Sequence, residues 1–364
     1  MSTVRAAAPE AARTRLSART LARLRLWLAI VAASTAIGMA YWSALAAIYQ
    51  IDTLAAALLH GGQYGAIIGS GLGLFQVVFM ASATSLPLRR APFLLGLLGR
   101  TAAAALVIVA TLVFCRLVLD SPVDRAVLDP GALVRDVVFS VAVYGAISFV
   151  VMMQRMIGGR VLRNFVMGRY YRPVREDRVF LFLDLADSTA LTQRLGDLGV
   201  HALISRMFFD IDEVILEHGG EVHRYIGDEV VVTWLLADCR RDGRCLSCYR
   251  AIERLIAARA EAYRALFGVV PVFRAGLHGG PVVAGECGDS KQEIVFFGDT
   301  INTAARLRSA CKDLGVSLLV SRDLVQAIRV PAAMPLQSCG RLRLKGRREE
   351  TEVFTWLPRT MAAG

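Results

Sequence analysis

The chain has 364 residues, 55% of them hydrophobic, with 42 basic against 31 acidic side chains and a formal net charge of +11. That composition is too apolar for an ordinary soluble pair of domains. The positive charge is arginine spread along the chain, with no basic and aromatic stripe, so nucleic acid is not an expected partner.

Four runs with little or no charge fill the first 155 positions, at residues 26–51, 62–85, 93–115 and 137–154. Each is close to the ~20 residues that a bilayer-spanning helix needs. Residues 26–155 are therefore expected to form a four-helix transmembrane domain in contact with a lipid bilayer. Six arginines (Arg5, Arg13, Arg15, Arg19, Arg23 and Arg25) precede the first run, Arg89 and Arg90 join the second to the third, and Arg155, Arg160, Arg163 and Arg169 follow the fourth. The other two connections carry Asp52, and then Asp120, Asp124 and Asp129. Arginine excess marks the cytoplasmic side. Both termini are thus expected inside the inner (plasma) membrane, with residues 1–25 a basic cytoplasmic arm and residues 156–178 a linker. A secretory leader is not expected, because the first apolar run is long and three more follow.

Beyond the linker, period-two runs alternate with helical patterns. A strand is expected at 179–184, a helix at 189–218 bent near Gly196–Gly199, and a hairpin of strands 221–226 and 230–234 turning at Gly227-Asp228. A helix follows at 248–267, strands at 272–278, 282–285 and 294–297, a helix at 300–313, and strands at 317–320, 336–344 and 353–357. Strand, helix, hairpin, helix, strand is a ferredoxin-like βαββαβ core, so residues 179–358 are expected to form an α+β domain. Six of the seven cysteines lie after the last apolar run, as suits a reducing compartment. Cys239, Cys245 and Cys248 have a spacing that can hold a metal or a redox centre, although no fourth ligand is near and buried thiols explain them as well.

Two acidic positions carry the chemistry. Asp184 ends an apolar strand, and Asp228 sits at a hairpin tip on what is expected to be an adjacent strand. Each alone is an ordinary turn or cap residue. Together they can hold Mg²⁺, an oxygen-seeking ion that keeps substrate oxygens as ligands. Ser188 or Thr189 is expected to cap the following helix, whose N-terminal amides form a phosphate site.

The motifs FLDLADSTALTQRLG, YIGDEVVVTW, FRAGLHGGPVVAGECG, IVFFGDTINTAARL and RLRLKG resemble, in order and approximate spacing, the class III nucleotidyl cyclase catalytic domain, bacterial membrane-anchored type. The resemblance covers about residues 178–357. It implies a head-to-tail homodimer with active sites shared between subunits, and a membrane-bound adenylate cyclase that converts ATP to 3′,5′-cyclic AMP and pyrophosphate. It implies two Mg²⁺ or Mn²⁺ ions per site on Asp184 and Asp228, helped by the carbonyl of Leu185. It further implies Asn302 on the ribose, Arg306 on the transferring phosphate, and Arg274 and Lys345 on the triphosphate. Lys345 is one of three lysines against 39 arginines.

At the base-reading positions of that family the chain has Arg224 and Val295 where adenylyl cyclases usually have Lys and Asp. Arg224 has donors only, which suits adenine N1 and not the guanine N–H groups. Val295 offers the adenine amino group no side-chain acceptor. ATP is favoured over GTP on this basis. Guanylate cyclase activity and a catalytically silent nucleotide-sensing or dimerisation module stand as alternatives. Asp187 adds a carboxylate where many relatives have glycine. His60 is the only histidine among the apolar runs, and Arg100 inside the third is either a snorkelling end residue or part of a site for an unknown membrane ligand.

Overall fold

The computed structural model describes residues 18–50, 53–79, 92–118, 130–157 and 167–356, apart from 291, 345, 347 and 348. The chain divides into two compact units, Met1–Ile157 and Gly158–Gly364.

In the first unit the described residues form α1 (Ala18–Tyr49), α2 (Leu54–Leu74, continued by a π-helical turn at Phe75–Phe79), α3 (Phe93–Val118) and α4 (Pro130–Ile157). Three stretches, Leu24–Tyr49, Phe93–Val118 and Gly131–Met153, are long and apolar enough to cross a membrane. The expected second span is not among them, and its residues 80–85 lie outside the described ones. The physical reason lies in α2 itself. His60 and Gln63 lower its hydropathy, and Gly61, Gly65, Gly69 and Gly73 recur every four residues. These glycines form a face pressed onto α1: a Cβ on Gly61 would lie 2.3 Å from the Gly38 carbonyl oxygen, and one on Gly65 2.3 Å from that of Ser34. Small residues at this spacing let two helix backbones approach without a hydrophobic drive.

The second unit is built on one mixed sheet. Its strands are β1 (Val174–Leu185), β2 (Glu221–Ile226), β3 (Glu229–Leu235), β4 (Phe273–Cys287), β5 (Glu293–Phe297), β6 (Leu318–Ser321), β7 (Leu336–Leu342) and β8 (Thr351–Trp356). The order is β2-β3-β1-β4-β6-β8-β7, with β5 on β4. Its first four strands are the order expected of a ferredoxin-like βαββαβ core. The helices are α5 (Ser188–Glu217), the single turn α6 (Leu236–Cys239), α7 (Arg244–Ala258), α8 (Ala260–Phe267), α9 (Asp299–Leu314) and α10 (Arg322–Ala327).

Several expectations shift. The bend in α5 falls at Gly196, whose φ of 72° no helix uses. The expected helix 248–267 is two helices broken at Arg259, and it starts earlier, at Arg244. The two strands expected at 272–278 and 282–285 are one continuous strand, because β1 pairs with β4 in register from Val174↔Ala284 to Leu185↔Phe273. Gly279, Gly280 and Pro281 interrupt the hydrophobic pattern but not the ladder. Strand β1 starts at Val174, inside the expected linker.

One sheet face carries the main core, where Leu181, Leu183, Leu203, Ile211, Val232 and Ile252 are fully or almost fully buried. Burying each such side chain contributes about 1.5–3 kcal/mol. The opposite face packs Phe180, Phe182, Val231, Val282 and Phe296 with Ala304 of α9. At Gly276 of β4 an added Cβ would lie 2.2 Å from the Ala304 carbonyl oxygen and 2.3 Å from the Arg308 nitrogen. The missing side chain lets α9 lie directly on the sheet.

Candidate active site

Asp184, next to last in β1, sits in register between Glu229 of β3 and Arg274 of β4. Asp228 follows Gly227, whose φ of 62° makes the hairpin turn. Burial raises the carboxyl pKa of Asp184; the nearby Arg308 charge lowers it, the Asp228 charge raises it, and Arg274 lowers it. Glu229 is likewise raised by burial, with Arg308 opposing and the charges of Asp184 and Asp228 adding to the rise. The two expected carboxylates are therefore close enough to repel, and a third acid joins them.

The guanidinium of Arg308 touches two members of this acidic ridge. Arg308 of α9 places Nη1 3.2 Å from Asp184 Oδ2 and Nε 2.7 Å from Glu229 Oε2. Neither Glu229 nor Arg308 was anticipated from the sequence. Arg308 lies two residues past the Asn302/Arg306 motif, on a side of the helix that only packing assigns.

The donors on the ridge fit a hard divalent cation. They are carboxylate oxygens, and their mutual repulsion and burial are penalties that a cation relieves. Among the described residues no group of three or more His, Cys, Asp or Glu side chains is arranged to hold a metal. Two aspartates supply only part of a shell. The buried Leu185 carries the neighbouring backbone carbonyl at the end of β1.

The start of α5 differs from expectation. The N-cap is Asp187 in the left-handed region (φ 56°, ψ 34°), and no side chain caps the helix. Ser188 is the first helical residue, and its carbonyl accepts from Thr192 Oγ1 at 3.0 Å. Neither Ser188 nor Thr189 is the cap. The Asp187 carboxylate turns instead to Arg274, accepting from Nη2 at 2.9 Å.

Asn302 and Arg306 lie one turn apart on α9, as expected, but not at the ridge. Asn302 donates from Nδ2 to the Gly298 carbonyl at 3.4 Å. Arg306 lies 3.7 Å from Asp299 on the same helix. At about 100° per residue, Arg306 and Arg308 are about 200° apart around α9. A helix whose Arg308 touches Asp184 turns Arg306 away from it. Lys345 lies outside the described residues.

The two expected base-reading positions lie on different strands, Arg224 on β2 and Val295 on β5. A register shift between Val222 and Arg224 sets two residues of β2 against one of β3, a bulge that re-aims the side chains. His223 stacks edge-on against Phe296 with ring centroids 4.9 Å apart. Its pKa is pushed down to about 4 by burial, with the charges of Arg224 and Arg178 adding to the effect. Arg224 forms an ion pair with Glu293 of β5. Val295, which pairs with Gly285 in the ladder, is two residues further along the same strand and so shares a face with Glu293. Glu293 thus brings a carboxylate beside Arg224 that the spacing of the motifs does not announce.

Cys239, Cys245 and Cys248 are fully buried within the main core, where they pack as small apolar side chains.

Asp184 and Asp228 thus lie at neighbouring strand ends of a ferredoxin-like sheet, and Asn302 and Arg306 lie on the helix that packs on that sheet. A family model for the adenylate and guanylate cyclase catalytic domain matches residues 172–357, and the chain belongs to that class III nucleotidyl cyclase family. It is similar to adenylate cyclase 2 of Rhizobium meliloti (strain 1021), 38% identical over 218 residues that cover 60% of each chain. It is also similar to guanylate cyclase 2D of Rattus norvegicus, 31% identical over 56% of this chain and 19% of that one. Among solved structures, a bacterial light-regulated adenylyl cyclase superposes with a TM-score of 0.52 at 22% identity, covering 59% of this chain and 63% of that one. The chain thus spans less than two thirds of the length of each of these relatives.

Proposed function

We propose that the chain is a membrane-anchored adenylate cyclase that works as a homodimer. Its product is 3′,5′-cyclic AMP with pyrophosphate. The observation that carries this reading is the division of labour on α9. Arg308 engages its own subunit's Asp184, while Asn302 and Arg306 face elsewhere and are left to serve the acidic ridge of a second copy.

In this reading Asp184, Asp228 and the Leu185 carbonyl hold divalent cations, Mg²⁺ or Mn²⁺. When bound, these supply Lewis-acid stabilisation of phosphate oxygens and acidify the ribose hydroxyl. The ribose 3′-hydroxyl gives its proton to solvent water, its oxygen forms a bond to the α-phosphorus, and the bond from that phosphorus to the pyrophosphate oxygen breaks. Asn302 fixes the sugar for in-line attack. Arg306 meets the negative charge that grows on the phosphoryl oxygens. Arg274, released from Asp187, and Lys345 grip the triphosphate with the open amides that begin α5 at Ser188 and Thr189. Arg224 and Glu293 together offer a donor and an acceptor, matching adenine N1 and its amino group, beside Val295.

The same pair supports a second reading. The Glu293 carboxylate can accept from guanine N–H groups, so its contact with Arg224 weakens the exclusion of GTP that Arg224 alone suggests. The helices of the first unit and the arginine-rich connections support a bilayer anchor with the catalytic unit on the cytoplasmic side.

Purified full-length protein supplied with Mn²⁺ and either ATP or GTP tests this. Cyclic AMP formation in excess over cyclic GTP is expected. Cyclic GTP alone supports the guanylate reading, and no cyclic product from either nucleotide leaves the domain a silent nucleotide-binding module.

A further inference from the structure

The helical unit encloses a feature that the catalytic reading does not use. A cavity of about 120 Å³ lies among α1, α2, α3 and α4. Its walls are mostly apolar, with Ile37, Trp42, Ile68, Leu112 and Ile147 among them. Arg100 also lines it, is only 7% exposed, and its Nε has no hydrogen-bond partner. It is the eighth residue of α3, about 10 Å from the helix start at 1.5 Å per residue. A side chain this little exposed does not have the solvent-reaching head that the snorkelling role requires.

The acid in the same wall does not neutralise it. The Asp136 carboxylate accepts from Tyr41 Oη at 2.6 Å, from Arg116 at 3.0 Å and from Arg135 at 3.3 Å. Three donors already hold that charge. A buried guanidinium in an apolar, lipid-surrounded cavity is costly unless an anion joins it.

We infer that this cavity binds a small apolar carboxylic acid whose carboxylate pairs with Arg100. The planar guanidinium fork matches a carboxylate in bidentate fashion. The volume sets the size of the apolar part: an apolar cavity of about 150 Å³ accommodates benzene, so an aromatic ring or an alkyl chain of about six carbons fills this one. The inference stands on the helical unit alone and is independent of the nucleotide chemistry.

The test uses the full-length chain in nanodiscs of uncharged phosphatidylcholine, with radiolabelled benzoate, hexanoate and octanoate as probes and benzamide as the neutral isostere. Saturable binding of at least one acid is expected, weakened about tenfold or more in Arg100→Gln and by less in Arg100→Lys, which keeps the charge but loses the bidentate fork; about tenfold is the loss of one charge-assisted hydrogen bond. Benzamide is expected to bind at least about tenfold more weakly than benzoate by the same measure. A Ser140→Leu variant, which fills part of the cavity and keeps Arg100, should also lose binding, so that a folding defect in Arg100→Gln does not decide the outcome. The inference is overturned if no acid binds saturably, if benzamide binds as well as benzoate, or if wild type and Ser140→Leu bind alike.

Discussion

Replacing Arg308 by glutamine removes the guanidinium shared by Asp184 and Glu229, at 3.2 Å and 2.7 Å, and leaves two carboxylates opposed across β1 and β3. The side chains are 28%, 18% and 8% exposed, so the ion pairs are partly shielded from water. At an effective dielectric of about 20, two charges 4 Å apart attract by roughly 4 kcal/mol, and the cost of desolvating Arg308 offsets part of that. A net loss of about 2–3 kcal/mol is expected, which for a unit of this size lowers Tm by about 5–10 °C. The assay is thermal and urea denaturation of wild type, Arg308→Gln, Glu229→Gln and the double variant. Mn²⁺ is expected to restore more stability to Arg308→Gln than to wild type, since Arg308 competes with a cation for Asp184. A loss under about 0.5 kcal/mol, or single effects that simply add in the double variant, would refute the shared-guanidinium account.

Three other perturbations have clear expected outcomes. His223 is held neutral in the fold with its pKa near 4, against about 6.5 unfolded. The unfolded chain therefore binds more protons in that window, so stability is full above about pH 6.5 and falls as pH drops toward 4, by on the order of 3 kcal/mol. His223→Gln should flatten that part of a urea-denaturation pH series. Gly276→Ala should cost more than about 3 kcal/mol and most of the cyclase activity, because its Cβ meets α9 backbone at 2.2 Å. Gly285→Ala, whose nearest contact is 3.6 Å, is the control that should leave stability within about 0.5 kcal/mol. Glu293→Ala should lower kcat/KM for ATP by about tenfold or more and change the ATP-to-GTP ratio, as measured by product formation with each nucleotide.

The placement of the two aspartates of the candidate site was legible because its signals are local. An apolar run ending in Asp184, and a Gly-Asp turn between two β-rich segments, need no tertiary information. The hairpin 221–226 and 230–234 was accordingly placed to within a residue of β2 and β3. What the sequence withheld depends on packing. Gly279-Gly280-Pro281 looks like a break, yet β1 pairs straight across it. Arg308 and Glu293 lie two residues from motif positions, and only the packing of α9 on β4 and the bulge at His223 determine what each reaches. The glycine face of α2 resembles weak hydrophobicity until α1 is seen against it. Asp187, not Ser188 or Thr189, precedes α5 because its left-handed turn brings the carboxylate to Arg274, a contact between residues 87 positions apart.

Subunit complementation tests the shared active site most directly. Asp228→Ala lacks a ridge carboxylate and Arg306→Ala lacks the guanidinium proposed to meet the phosphate, so each alone should form almost no cyclic AMP from ATP. Co-expressed, a mixed two-fold dimer holds one site free of both changes, and activity should return to about a quarter of wild type. Co-purified mixed dimers as inactive as their parents, or an Asp228→Ala protein that still cyclises ATP with Mg²⁺, would contradict it.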